Sequence, residues 1–265
     1  MLDKISQFIN SLPDYIGQGI LGIIVTVVTG LVLGYITSKY FTRKDELTRI
    51  EGLLLEKKIP IYKEIFKRLE SLNNQVEYTP ADCSMALQIM QECEIKRPKY
   101  LHSPQILENS DEMRKTFLAI DQYATENKIF FDDDVASAML VFQNYIIAFV
   151  RFQAMFREQM EQFGVTMSKE ICNIEHQMMI ALGLILSEDL FQQTQKVTTT
   201  IRNSLNNLSF NHRVAPTYRY EDFNDPESSL FKELLQTKAF AEREKIITLI
   251  THFVSIGLLA GKKYK

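Results

Sequence analysis

From Tyr15 to Ser38 the chain reads YIGQGILGIIVTVVTGLVLGYITS, 24 residues without a charge, bounded by Asp14 and Lys39. At ~1.5 Å rise per residue such a helix is about 36 Å long, enough for a hydrocarbon core of ~30 Å with some tilt. A secretory signal peptide has a shorter apolar region and ends at small residues, whereas here Tyr35, Ile36 and Thr37 lead towards Lys39. The expectation is therefore an uncleaved transmembrane helix over 14–38. Its N-terminal flank offers Lys4 and the α-amino group, its C-terminal flank Lys39, Arg43, Lys44 and Arg49. The positive-inside bias then puts the bulk of the chain in the cytoplasm and the N-terminus outside. Three cysteines, Cys83, Cys93 and Cys172, are too few for a disulfide framework and agree with a reducing compartment.

Half of the 10 glycines, Gly17, Gly19, Gly22, Gly30 and Gly34, lie in this one span. Gln18, Gly22, Thr26, Gly30, Gly34 and Ser38 recur every four residues, with one gap at Thr26 filled by a small hydroxyl, so they form a single ridge where a second helix backbone can approach closely. The reading is homo-oligomeric packing along that ridge; Gln18, Thr26 and Thr29 would face water if several copies surrounded a pore. Ahead of the span, Leu2, Ile5, Phe8, Ile9 and Leu12 fall at helical spacing, which suits a short interfacial amphipathic helix over 1–13 ending near Pro13.

Beyond Lys39, Leu47, Ile50, Leu54, Ile61, Tyr62, Ile65, Phe66, Leu69 and Leu72 keep a helical period that Pro60 should interrupt. This predicts a juxtamembrane helical stalk over 39–75, with Lys57, Lys58, Lys63, Lys67 and Arg68 on a basic, solvated face. Thr79-Pro80-Ala81-Asp82 reads as a helix start, with a helix through Ile95, and Ser103-Pro104 repeats that signal for a helix or helix pair reaching about Lys128. Asp132, Asp133 and Asp134 introduce the longest regular segment, closed by Gly164. Within it Val135, Met139, Phe142, Ile146, Phe149, Gln153, Phe156, Met160 and Phe163 make a heptad-like seam, predicting a buried bundle helix.

A further helix is expected from Met167 to about Ser209, then a loop over 211–226 and a last helical pattern from about Glu227. The uncharged tail stretch Ile246 to Gly261 reaches only about 24 Å, and a return span would carry Lys262, Lys263 and Lys265 outside, so it reads as a buried helix. Thr248, Thr251, His252 and Ser255 form a narrow polar strip on it. No strand or hairpin pattern of useful length is present. The fold class is all-α, with the cytosolic helical domain over 76–265. Net charge is -3, from 30 basic and 33 acidic residues, which gives no global case for nucleic-acid binding.

Metal chemistry has little to stand on: there is no C-x-x-C, H-E-x-x-H or E-x-x-H, and Cys172, Glu175 and His176 lack a partner pair, so no metal or cofactor is expected. Gly257 to Lys263 is one residue short of a phosphate loop and follows no strand. His212, Arg213, Tyr218, Arg219 and Tyr220 combine cations and aromatics able to hold a nucleotide or phosphate, but Glu221, Asp222, Asp225 and Glu227 follow and oppose an anion.

Arg97-Pro-Lys-Tyr-Leu-His102 has the form R-x4-H and resembles the catalytic motif of HEPN ribonucleases, with Pro98 in place of the usual polar residue. The single span, the basic juxtamembrane IYKEIFKRL pattern and the helical domain together resemble membrane-anchored effectors of bacterial antiviral systems. The R-x4-H adds a similarity to the HEPN-like, pore-forming accessory membrane protein of type VI-B CRISPR systems. These resemblances imply a bacterial inner-membrane protein that assembles into a ring or bundle and disturbs the membrane on infection. Its partners would be the lipid membrane and further copies of itself, with a protein or RNA partner for the cytosolic domain left open. Two other readings stand beside it: a membrane-tethered ribonuclease using Arg97 and His102, and a non-catalytic membrane scaffold.

Overall fold

The computed structural model describes residues 55–206 and 228–262, together with Gly34, Tyr35, Lys39, Gly52 and Leu53. The chain divides into two compact units, 1–56 and 57–265. Of the first unit, the isolated described positions are helical, and the Lys39 ammonium lies 5.7 Å from the Tyr35 ring centroid. The expected interfacial helix over 1–13 and almost all of the span over 14–38 lie outside the described residues.

The second unit is built almost entirely of helices. Helix α1 covers 55–70 without a break at Pro60. The proline ring is exposed and the helix runs on through it, so the expected interruption is absent. The face carrying Ile61, Tyr62, Ile65 and Leu69 enters the main core, so residues expected in a stalk belong to the bundle. After a 3-10 turn at Ser71–Asn73 comes β1 (Gln75–Glu77), then α2 (Ser84–Glu92), β2 (His102–Pro104), a second 3-10 turn at Gln105–Glu108 and α3 (Ser110–Asn127).

The two strands pair antiparallel, with Val76 opposite Ser103 and Glu77 opposite His102, an element the sequence pattern does not announce. Thr79 and Asp82 spend their side chains on each other at 2.6 Å, closing a turn one step before the helix begins at Ser84. The chain leaves α2 through Glu94 in the left-handed region (φ 53), where the Glu94 and Ile95 amides return to Gln91 and Met90. At α3 the cap is Asn109, whose side chain accepts from the Asp111 and Glu112 amides.

Helix α4 (Asp133–Gln162) carries the predicted seam. Val135, Met139, Phe142, Ile146, Phe149, Gln153, Phe156 and Met160 are all buried, and Phe163, one residue past the helix, is exposed. Gly164 stops the helix at φ 66, with the Gly164 and Val165 amides donating to Glu161 and Met160, a capping geometry that L side chains disfavour. Helix α5 (Lys169–Asn206) is the centre of the bundle: every residue from Met178 to Leu186 is buried on whichever face it lies, as expected for a helix apolar all round. It packs against α4, α2 and β2.

Past the expected loop over 211–226, which lies outside the described residues, the single expected tail helix is three: α6 (Ser229–Gln236), α7 (Lys238–Ala241) and α8 (Arg243–Lys262). Thr237 and Glu242 break the period. Helix α8 buries Ile246, Leu249, Ile250 and Phe253 against α4 and α5 but leaves Thr248, Thr251 and Ser255 exposed. Those hydroxyls each donate to a carbonyl one turn back. Both α4 and α8 have the length and apolar composition of a membrane-crossing helix, which gives weak support to membrane association.

Candidate functional site

The sequence places a basic run on α1 and three acids at the start of α4, and folding brings one from each set together. Lys58 is buried, and its Nζ lies 2.5 Å from Asp132 Oδ1. Ser204, in the last turn of α5, donates its hydroxyl to the other oxygen, Asp132 Oδ2. The Asp132 amide donates to the Tyr62 hydroxyl at 3.4 Å, and the Lys58 ammonium lies 5.2 Å from the Tyr62 ring centroid. Burial first, and the Asp132 charge second, push the Tyr62 phenol well above its ordinary range, so it stays protonated.

One turn of α1 is thus tied to the start of α4 and the end of α5. Asp132 sits at the N-cap position of α4 without making a side-chain cap bond, because both its oxygens serve this cluster. At the other end of α1, Arg68 lies 4.6 Å from the Tyr123 ring centroid and donates to the Ala119 carbonyl, fixing α1 to α3. Lys58 and Arg68 therefore leave the solvated face on which the sequence pattern put them; Lys57, Lys63 and Lys67 remain exposed.

A double-mutant cycle on Lys58→Met and Asp132→Asn, read by urea denaturation, should return a coupling of about 1 kcal/mol. That value is discounted from a fully buried pair because the Asp132 side chain is 43% exposed. A coupling near zero would remove the cluster as a mechanical link.

Among the described residues, those singled out for chemistry, Arg97 and His102, have different partners. Arg97 is exposed on the loop after α2 and lines a groove of about 580 Å³ with Ser84, Gln88, Gln91, Glu94 and Lys96. It acts electrostatically on Cys83, whose thiol burial pushes up and Arg97 pulls down. His102 is on β2, with Nε2 3.7 Å from Glu77 Oε1 and its ring near Tyr100. Among the described residues no hydrogen bond or ion pair joins Arg97 to His102, and His102 does not line the groove.

Among the described residues no group of three His, Cys, Asp or Glu side chains is placed to hold a metal. Glu175 turns instead to Arg157 and Gln153, and His176 Nδ1 meets the Glu108 carbonyl at 3.0 Å. Comparison with protein-family models, curated proteins and solved structures finds no match. Of the packing ridge, Gly34 alone is described; it is helical and exposed, and among the described residues no atom lies within 4 Å of a Cβ placed there. Gln18, Gly22, Thr26, Gly30 and Ser38 lie outside the described residues, as do Arg213, Tyr218, Arg219 and Tyr220.

The cluster at Lys58 is the arrangement that sequence reasoning missed. Its one local signal is the position of Lys58 a turn before Tyr62, on the face that also carries Ile61, Ile65 and Leu69.

Proposed function

We propose that this protein is a membrane-anchored, oligomeric effector of non-enzymatic type, whose helical domain controls the assembly or permeability of its own anchor. The observation that carries the reading is the uncharged stretch Tyr15 to Ser38, with its cationic C-terminal flank and its four-residue spacing of small residues. The proposed topology is a single pass of a bacterial inner membrane with the N-terminus outside. The resemblance to antiviral membrane effectors supplies the biological setting.

The Lys58–Asp132–Ser204 cluster supports control by the bundle in physical terms. A change in packing that moves the start of α4 or the end of α5 must either carry α1 with it or break a charge-assisted contact. Helix α1 is the helix of the bundle next in sequence to the proposed anchor, which makes it the element on which such control would act.

The test is the mass of the detergent-solubilised full-length particle by light scattering, corrected for bound detergent. A large closed oligomer is expected, falling to a smaller species in Gly30→Leu with Gly34→Leu while the protein stays folded and in the membrane fraction. A monomer or dimer insensitive to the substitutions would overturn the assembly reading. RNA cleavage by the wild-type protein that is lost in His102→Ala would replace it with the tethered ribonuclease.

A further inference from the structure

Beside the main core the described residues hold a small separate apolar cluster, made by Val141 of α4 with Leu230 and Leu234 of α6. Leu140 and Phe240 pack against it. Helix α6 therefore adds only two buried leucines to the bundle, on a site distinct from the seam that α4 presents to α5 and α8. Its start is capped by Ser228, whose hydroxyl accepts from the Leu230 amide, and its outer side is tied to α5 by the partly exposed pair of Lys196 and Glu233.

Attachment changes abruptly at Thr237, where the backbone leaves the helix with ψ 143. Just beyond it the Lys238 amide donates to Asp189 Oδ2 at 2.8 Å, and Lys238 Nζ donates to the Ile185 carbonyl at 2.9 Å. Asp189 is itself buried on α5 and faces the buried Tyr145 hydroxyl; Ala239 is also buried. Helix α8 then runs through the main core. An eight-residue helix has little stability by itself, so whatever undocks α6 also unfolds it.

We infer that α6 is a releasable clasp: it opens about Thr237 while α4, α5 and α8 stay in place, and opening uncovers Val141 and Leu140 together with its own leucines. The closed bundle buries Val141 and covers part of Leu140, so the balance between closed and open states sets how often solvent reaches them. Burial pushes the Asp189 carboxyl above the ordinary aspartate range, while the amides it accepts from pull the other way. The pin at Lys238 is thus a fixed joint held by several donors, and the movable part lies on the α6 side of it.

The clasp rests on no part of the anchor reading, and the two fail separately, since particle mass does not report on α6. The experiment is hydrogen exchange by mass spectrometry on the full-length protein in detergent. Amides over 232–236 should exchange at least tenfold faster than those over 246–258. Glu233→Lys should speed the 229–236 segment severalfold more with no change over 243–262, and adding Lys196→Glu should restore the original rate. Equal protection of α6 and α8 would overturn the clasp. So would a Glu233→Lys variant that leaves the α6 rate unchanged or accelerates both segments by the same factor.

Discussion

Gly183→Ala lowers the stability of the bundle by about 2–3 kcal/mol, although alanine is the better helix former by about 1 kcal/mol. Gly183 is in the middle of α5, where β2 crosses the helix. A Cβ there would lie 1.8 Å from Ser103 Oγ, 2.8 Å from Ser103 Cβ and 3.3 Å from Leu107 Cδ1. Ser103 has no room to retreat, because it is fully buried and its backbone is paired with Val76. The added methyl must push β2 off the central helix, and His102 moves with it. Urea denaturation measures the loss, and combining Ser103→Gly with Gly183→Ala should recover most of it. Ser103 Oγ is buried without a hydrogen-bond partner, so little is lost with that side chain. A Gly183→Ala protein as stable as the wild type would show that the hairpin is not held at this crossing.

Glu175→Leu should cost about 2–3 kcal/mol, and the cause is the set of groups it leaves behind. Its carboxylate is almost wholly buried, accepts from Arg157 Nε at 2.7 Å and Nη2 at 3.1 Å, and takes a third bond from Gln153 at 3.2 Å. The bonds to Glu175 first, and the one to Asp111 after them, raise the affinity of the Arg157 guanidinium for its proton above the ordinary arginine range, against the effect of its burial. Without Glu175, a guanidinium 31% exposed keeps Asp111 at 2.7 Å and Ser110 but loses its main partner, which sets the cost below that of a fully buried charge. The double substitution Arg157→Met with Glu175→Leu should recover most of the loss, because a pair of apolar side chains leaves no orphaned charge. A double variant as unstable as the single one would mean that the network also positions α3 through Asp111 and Ser110.

The long helices were legible because their burial is periodic. Phe142, Phe149 and Phe156 recur every seven residues along α4, and each lands in the core; Asp133 and Asp134 in its first turn and Gly164 after its end mark it by dipole and backbone chemistry, whereas Asp132 turns to distant partners. Helix α5 was legible as a helix, but its place at the centre of the bundle, with every residue from Met178 to Leu186 buried, is a result of packing. Ser103-Pro104 does precede the expected helix pair, the 3-10 turn over Gln105–Glu108 and α3 ending at Asn127, and a turn after Thr79-Pro80 leads into α2, but both signals stand outside the helices they announce. Thr79 caps a turn closed by Asp82, and Ser103 enters a strand whose partner, Val76, is 27 positions away with a helix between them.

The candidate sites divide in the same way. The four-residue spacing of Gln18, Gly22, Thr26, Gly30, Gly34 and Ser38 is a property of the sequence and can be read directly. The R-x4-H spacing of Arg97 and His102 is also visible, but the intervening loop and β2 give the two side chains different neighbours, Cys83 for one and Glu77 for the other.

Sequence alone determined an uncharged stretch long enough to span a bilayer, a largely helical domain behind it and the buried seam of α4, because hydropathy at helical period is a local quantity. Tertiary structure decided which polar residues become partners. Lys58 and Asp132 stand 74 positions apart, and Lys58 looks like any solvated lysine until α1 is laid across the ends of α4 and α5. Burying its ammonium is costly without a counter-charge, and Asp132 is the acid that the packing of those helices brings to it.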